Sequence, residues 1–291
     1  MHETWLPLLR CPVTGERYDL DPTRATPGEI TEGFLVAREG HEVRLVLAGL
    51  AVLPRDLRAH LKTYGEVYER MPLADSRIVR YVLGGVGHAG YDRVPFDEVI
   101  ARYGDLVPLG TYDEPPGLAP EDADLAGLIA SLDGGAGRAL DLGCGVGRGV
   151  FVLLDRFERV LGVDRSLARI RRARNVAVTH ADFFLPAPPD SGLKQVPLEL
   201  TRLDRRGADF AVADGDALPL ADGCMDLVVV RGEEGLRPHR VRAGAHAPAL
   251  REAVRVLAAD GILVLEGGDE APWPDGELLE RQGRFGAWRR A

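Results

Sequence analysis

The rhythm of apolar positions changes partway along the chain. From Arg138 onward, short apolar runs alternate with helical stretches, and RALDLG (138–143), RVLGVD (159–164), ADFAVAD (208–214), MDLVVV (225–230) and GILVLEG (261–267) each read as a buried strand. Leu250, Ala253, Val254 and Leu257 share one face of REAVRVL before the Asp260-Gly261 turn, so a helix feeds the last strand. Ahead of the first strand, Leu125, Leu128, Ile129 and Leu132 fall at helical spacing over 121–132. Glu121, Asp122 and Asp124 occupy its first turn, where the macrodipole favours anions. Strands alternating with helices predict an α/β fold with a parallel sheet. After Gly267 only 24 residues remain, which leaves room for a helix around Glu277–Arg281 and one strand at Phe285–Trp288. The sheet edge is then either abbreviated or completed by another chain, and its protection by the N-terminal half or by a homodimer is expected.

Gly and Pro punctuate the first 120 residues, and Pro115, Pro116, Gly117 and Pro120 mark a boundary before the 121–132 helix. Three regions follow: 1–61, a small α+β accessory domain; 62–120, a linker, lid and substrate-binding region carrying Tyr64, Tyr68, Tyr81, Tyr91 and Tyr103; and 121–291, the α/β domain. The segment 175–207, with Pro186, Pro188, Pro189 and Pro197, is long for a helix-to-strand connection, and such loops are often functional.

Composition narrows the function classes. With 291 residues, 45% hydrophobic and 28% charged, the chain is ordinary globular protein, and no apolar run reaches the ~20 residues of a membrane-spanning helix. The N-terminal stretch is broken by Pro7 and Arg10 and lacks a cleavage site, so a cytoplasmic location is expected. Cys11, Cys144 and Cys224 are too scattered for a disulfide framework or a zinc site, so no metal is expected. A net charge of −9 disfavours nucleic acid as the main partner, because that affinity rests on Lys and Arg neutralising phosphates.

The stretch ALDLGCGVGRGV (139–150) carries the chemistry. An apolar strand ends at Asp141 and runs into Gly143, Gly145 and Gly147, which permit a tight turn and let a ligand approach the main chain. Asp164 ends the next strand, where a carboxylate can accept from both hydroxyls of a ribose. Asp216 and Ala217, in DGDALPL, follow the third. The dinucleotide fingerprint GxGxxG fits neither register, since Arg148 or Val150 stands at its last position.

In their order, DLGCGVGRG, GVD, DGDALPL and REAVRVLAADGILVL resemble the class I S-adenosylmethionine-dependent methyltransferases over roughly the C-terminal 60% of the chain, nearest to those acting on small molecules. The resemblance implies a Rossmann-like sheet and S-adenosyl-L-methionine as cofactor, with S-adenosyl-L-homocysteine as product. It places Asp141, Gly143, Cys144, Gly145 and Gly147 against the methionine part, Asp164 with the adjacent Arg165 at the ribose, and Asp216 with Ala217 at the adenine. Arg231 and Gly232 fall on the floor of the transfer site. Residues 5–61, with a Cys-Pro opening at Cys11 and a GLAVLP close at Gly49–Pro54, resemble the zinc-ribbon activators of RNA and protein methyltransferases. Most metal ligands are lost, and Thr14 stands in the place of a partner cysteine, so a metal-free accessory fold is implied.

Other residues have plainer readings. Cys144 reads as a small packing residue rather than a nucleophile. No partner in the sequence fixes His180, His239 or His246 as a base, and Arg165, Arg169, Arg171, Arg172 and Arg174 read as a solvated helix end, with a phosphate grip as the alternative. Tyr64 and Tyr68 suit either core packing or closure over a cofactor. Glu233, Glu234 and His239 are catalytic candidates by position alone. The leading expectation is methyl transfer to a small-molecule acceptor. The alternatives are transfer to RNA or protein, weakened because VVVRGEE lacks an NPPY-type motif, and a non-catalytic scaffold that binds the cofactor.

Overall fold

The computed structural model describes residues 1–60, 120–133, 137–145, 147–178, 183–186, 195–198, 206–231, 248–267 and 276–290. The first 60 residues supply a short 3-10 helix (Glu3–Leu8) and four strands, β1 (Asp19–Thr26), β2 (Glu29–Ala37), β3 (Glu42–Leu47) and β4 (Leu50–Val52). The later elements are α1 (Pro120–Ser131), β5 (Arg138–Leu142), α2 (Arg148–Leu154), β6 (Arg159–Asp164), α3 (Leu167–Val178), β7 (Phe183–Pro186), β8 (Gln195–Leu198) and β9 (Ala208–Val212). They continue with β10 (Met225–Val230), α4 (Pro248–Val256), β11 (Leu257–Glu266), β12 (Gly276–Gln282) and β13 (Phe285–Arg290). Eleven strands form one sheet in the order β1-β2-β3-β4-β9-β6-β5-β10-β11-β13-β12.

The five expected strands form the parallel centre, β9-β6-β5-β10-β11. They are apolar on both faces because both faces are covered. Ala139, Val160 and Leu227 pack with Leu125 and Leu128 of α1 and Leu153 of α2. Their neighbours Leu140, Leu161 and Val228 turn the other way, onto Ala253 and Val256 of α4 and Trp5 of the N-terminal 3-10 helix. This period-2 division makes two cores from one sheet.

The end of the chain departs from the sequence reading. Glu277–Arg281 is strand rather than helix, and β12 and β13 form an antiparallel pair, with β13 antiparallel to β11. The sheet is therefore complete on this side rather than abbreviated. ELLER has good helix formers, but Leu278 pairs across to Trp288, and the buried Trp288 ring anchors the hairpin. The outermost strand carries Glu277, Glu280 and Arg281 and a register shift between Leu278 and Glu280, features that blunt an edge. Within 175–207, α3 runs on to Val178, and β7 and β8 form a separate two-stranded antiparallel pair.

At the opposite side, the N-terminal strands continue the sheet. β4 lies parallel to β9, with Ala51 opposite Ala211 and Val52 opposite Val212. The junction is reinforced by Asp209, a buried carboxylate that accepts from the Trp5 indole at 2.9 Å and from the His2 N–H at 3.0 Å. Arg10 N–H donates to the Pro219 carbonyl at 3.0 Å and Ala221 N–H to that of Leu8 at 2.8 Å, and Arg174 of α3 pairs with Glu29.

Candidate functional site

The carboxyl ends of β9, β6, β5 and β10 lie side by side, and they bring Asp216, Asp164, Asp141 and Arg231 to one end of the sheet. The register fixes the order, since Asp141 is level with Gly162 and with Val229 of the flanking strands. Gly143 and Cys144 then fold back, and both N–H groups donate to the Val163 carbonyl, at 2.8 and 3.1 Å. Gly143 has φ +80°, and a Cβ there would lie 2.6 Å from the Arg231 carbonyl oxygen, so the turn needs glycine for both conformation and space.

Asp164 is 7% exposed and joins the glycine turn to the next helix. Its Oδ2 accepts from the Gly145 N–H at 3.1 Å and its Oδ1 from the Ser166 N–H at 2.7 Å. A carboxylate oxygen accepts more than one hydrogen bond, so this fixed group still offers acceptor capacity to a ligand diol.

Asp141 is fully buried and forms an ion pair with Arg231, Oδ1 to Nε 3.2 Å, in which the arginine is 14% exposed. The Arg231 guanidinium lies 5.6 Å from the centre of the Phe285 ring on β13. The pair cancels its own charge beside the glycine turn, and Asp164, Asp214 and Asp216 are the further carboxylates at this end of the sheet. Phe285 was not singled out from the sequence. Its only sequence signal is an apolar residue in a strand, and pairing with β11 is what places it under Arg231.

Cys144 is buried, and burial pushes its thiol well above the usual range, with Asp141 and Asp164 adding to the rise. That suits a packing role and not a nucleophile. Asp216 is exposed on the turn after β9, next to the buried Ala217, whose N–H donates to the Asp214 carbonyl at 3.2 Å. Arg165 is exposed at the start of the loop into α3. Asp216 and Ala217 line a hollow of about 700 Å³, and a second cavity of about 360 Å³ opens at the amino ends of the strands, between Ile129, Asp226 and Gly261. Neither hollow is lined by Asp141 or Asp164. Glu233, Glu234, His239, His180, His246, Gly232, Tyr64 and Tyr68 lie outside the described residues. Among the described residues no cluster of His, Cys, Asp and Glu has the arrangement of a metal site, and no helix is long and apolar enough to cross a membrane.

Comparison with known proteins matches residues 140–265 to the methyltransferase domain family. No curated protein matches the chain. Similar solved structures include the PH0226 protein from Pyrococcus horikoshii, at 26% identity over 51% of this chain and 54% of that one, with a TM-score of 0.37. Another is the TehB-like SAM-dependent methyltransferase from Corynebacterium glutamicum, at 22% identity over 57% of this chain and 86% of that one, with a TM-score of 0.37. A third is the YcgJ protein from Bacillus subtilis, at 22% identity over 49% of each chain, with a TM-score of 0.34. The match thus spans about half the length of the first and third of these. The glycine turn, Asp164 and Arg231 all fall within the segment that matches the methyltransferase domain family.

Proposed function

We propose that the chain transfers a methyl group from S-adenosyl-L-methionine to a small-molecule acceptor. The observation that carries this reading is Asp164, clamped by Gly145 and Ser166 at the end of β6 inside a methyltransferase domain. The residues suit the group. A bound adenosyl donor supplies an activated sulfonium methyl, so the protein's share is to hold and orient the reactants and keep water out. Asp164 accepts the ribose hydroxyls, Asp216 accepts from the adenine edge, and Gly143, Cys144, Gly145 and Gly147 leave room for the methionine part. Arg231, locked to Asp141, forms the floor, and its charge is cancelled there, which keeps a cation close to a sulfonium from being repulsive. Ala217 N–H already closes a turn onto Asp214, so the adenine contact rests chiefly on the Asp216 carboxylate.

The catalytic group is open, with Glu233, Glu234 and His239 as candidates. The organisation we infer is an accessory domain over 1–61, a substrate-binding region over 62–120 and the methyltransferase domain over 121–291, in the cytoplasm. The accessory domain reads as a metal-free relative of the zinc-ribbon activators. The Glu16 carboxylate supports this, since it accepts from the Glu39 and Gly40 N–H groups, both at 2.8 Å, and so links the 11–16 turn to the β2–β3 turn through hydrogen bonds. Elemental analysis of the purified protein should find less than a tenth of an equivalent of zinc, and a full equivalent would contradict the metal-free reading.

Incubation with donor labelled in its methyl group separates the functional readings. Label appearing in a small-molecule fraction, and lost in Asp164→Ala, is the expected result. Label in RNA or protein would move the assignment to a macromolecular acceptor, and cofactor binding without transfer to any acceptor class would identify a scaffold.

A further inference from the structure

The turn leaving β9 is held from two sides. On one side Ala213 N–H donates to the Asp164 carbonyl at 3.2 Å, which ties it to the ribose-side carboxylate strand. On the other, the Arg55 N–H donates to the Asp214 carboxylate at 2.8 Å, a bond that crosses from the N-terminal strands to the methyltransferase domain. Arg55 is itself fixed. Leu53 N–H donates to the Val212 carbonyl at 2.8 Å, so the chain leaves β4 still hydrogen-bonded to β9. Arg44, on β3 and 1% exposed, donates to the carbonyls of Pro54 and Arg55, each at 2.9 Å, and its remaining Nη1 bonds go to Glu42 and the Val43 carbonyl. A buried guanidinium that spends its donors on successive main-chain carbonyls sets the path of that backbone. The hollow lined by Asp216 and Ala217 is also lined by Arg10, Pro12, Gly15 and Arg55.

We propose that residues 1–55 are a built-in positioning element for the adenosyl side of the cofactor site, and that they act through Asp214. The inference rests on the reading of Asp216 as the adenine-side carboxylate. Asp214 touches no cofactor in this account. It receives the Arg55 N–H on its side chain and the Ala217 N–H on its carbonyl, and so fixes both ends of the turn on which Asp216 is carried. Without the side-chain bond the stretch Asp214–Ala217 is tied to residues 1–55 only at its flanks, through β4 upstream and through Leu8 and Arg10 at Ala221 and Pro219 downstream. Asp216 then samples positions that do not meet the base, and the cofactor must restore the order at a cost in affinity.

Calorimetry on the full chain tests this with two probes, S-adenosyl-L-homocysteine and adenosine. Asp214→Ala should weaken both by about tenfold, because the defect lies on the part the two ligands share. Asp214→Asn should stay within about threefold of the unaltered chain, since its amide oxygen still accepts the Arg55 N–H. Asp214→Ser, which shortens the side chain, takes the place of the alanine variant if that does not fold, with the same loss expected. Unchanged affinity in the shortened variant overturns the proposal. So does a loss seen with S-adenosyl-L-homocysteine alone, or an Asn variant as weak as the Ala one, because either would remove the hydrogen bond to the turn as the cause. Binding of neither probe by the unaltered chain would overturn the cofactor reading and this proposal with it. Binding that survives Asp164→Ala undiminished would overturn the cofactor reading by a separate route.

Discussion

At the scale of single residues, the buried Asp141–Arg231 pair is the most exacting feature of the site. Removing one partner of a buried pair leaves a charge without compensation, which costs about 3–5 kcal/mol in such settings. Asp141→Asn should therefore lower the unfolding free energy by that amount in a denaturant titration, and a loss below about 1 kcal/mol would contradict the tight coupling of the two groups. Gly143→Ala places a side chain at φ +80° against the Arg231 carbonyl and should cost about 2 kcal/mol or more. His60 offers a pH test. Burial lowers its pKa from 6.5 to about 4, while Asp214 pulls the other way. Between those values the unfolded chain takes up a proton that the folded chain refuses, so stability is whole above about pH 6.5 and falls as the pH drops toward 4. His60→Gln should flatten the melting-temperature profile across that window. Equal slopes in both proteins would show that His60 does not titrate as described.

Among elements, the parallel strands were the legible part of the sequence. Buried on both faces, they read as near-continuous apolar runs ended by glycine or aspartate, and the motif that follows β5 is local in sequence and local in space. Of the terminal hairpin only the second strand, Phe285–Trp288, was legible. ELLER has the intrinsic preference of a helix, and only the fit of β13 against β11 and the burial of Phe285, Ala287 and Trp288 force it into a strand. The ladder between β4 and β9 was equally hidden, because three residues, Leu50–Val52, carry no periodicity, and their partner lies far along the chain. Of the proposed site, the glycines and the strand-end positions of Asp141, Asp164 and Asp216 stand out in the sequence, while the roles proposed for Asp141 and Asp216 come from the family resemblance. The roles of Asp214 and Phe285 could not be read, because they depend on contacts that only tertiary pairing creates. The buried Trp288 makes the hairpin testable: Trp288→Ala should cost about 3–5 kcal/mol. A change within 0.5 kcal/mol would mean that the hairpin is not packed as described.

For the whole molecule, one continuous sheet joins the N-terminal strands to the methyltransferase domain, so the two are expected to unfold together. Hydrogen exchange should give the β4 and β9 amides a common opening free energy, and β4 amides exchanging far faster would mean that the N-terminal strands detach separately. The sheet also explains how residues distant in sequence serve one end of the fold: β9, β6, β5 and β10 deliver Asp216, Asp164, Asp141 and Arg231 side by side, and β4 steadies the outer member. The proposal that these residues converge on a single adenosyl group is tested most directly by a crystal structure of the full chain grown with S-adenosyl-L-homocysteine. The account predicts the ribose hydroxyls within hydrogen-bonding distance of the Asp164 carboxylate and the adenine amine beside Asp216. A ligand lodged elsewhere, with Asp164 and Asp216 both untouched, would contradict it.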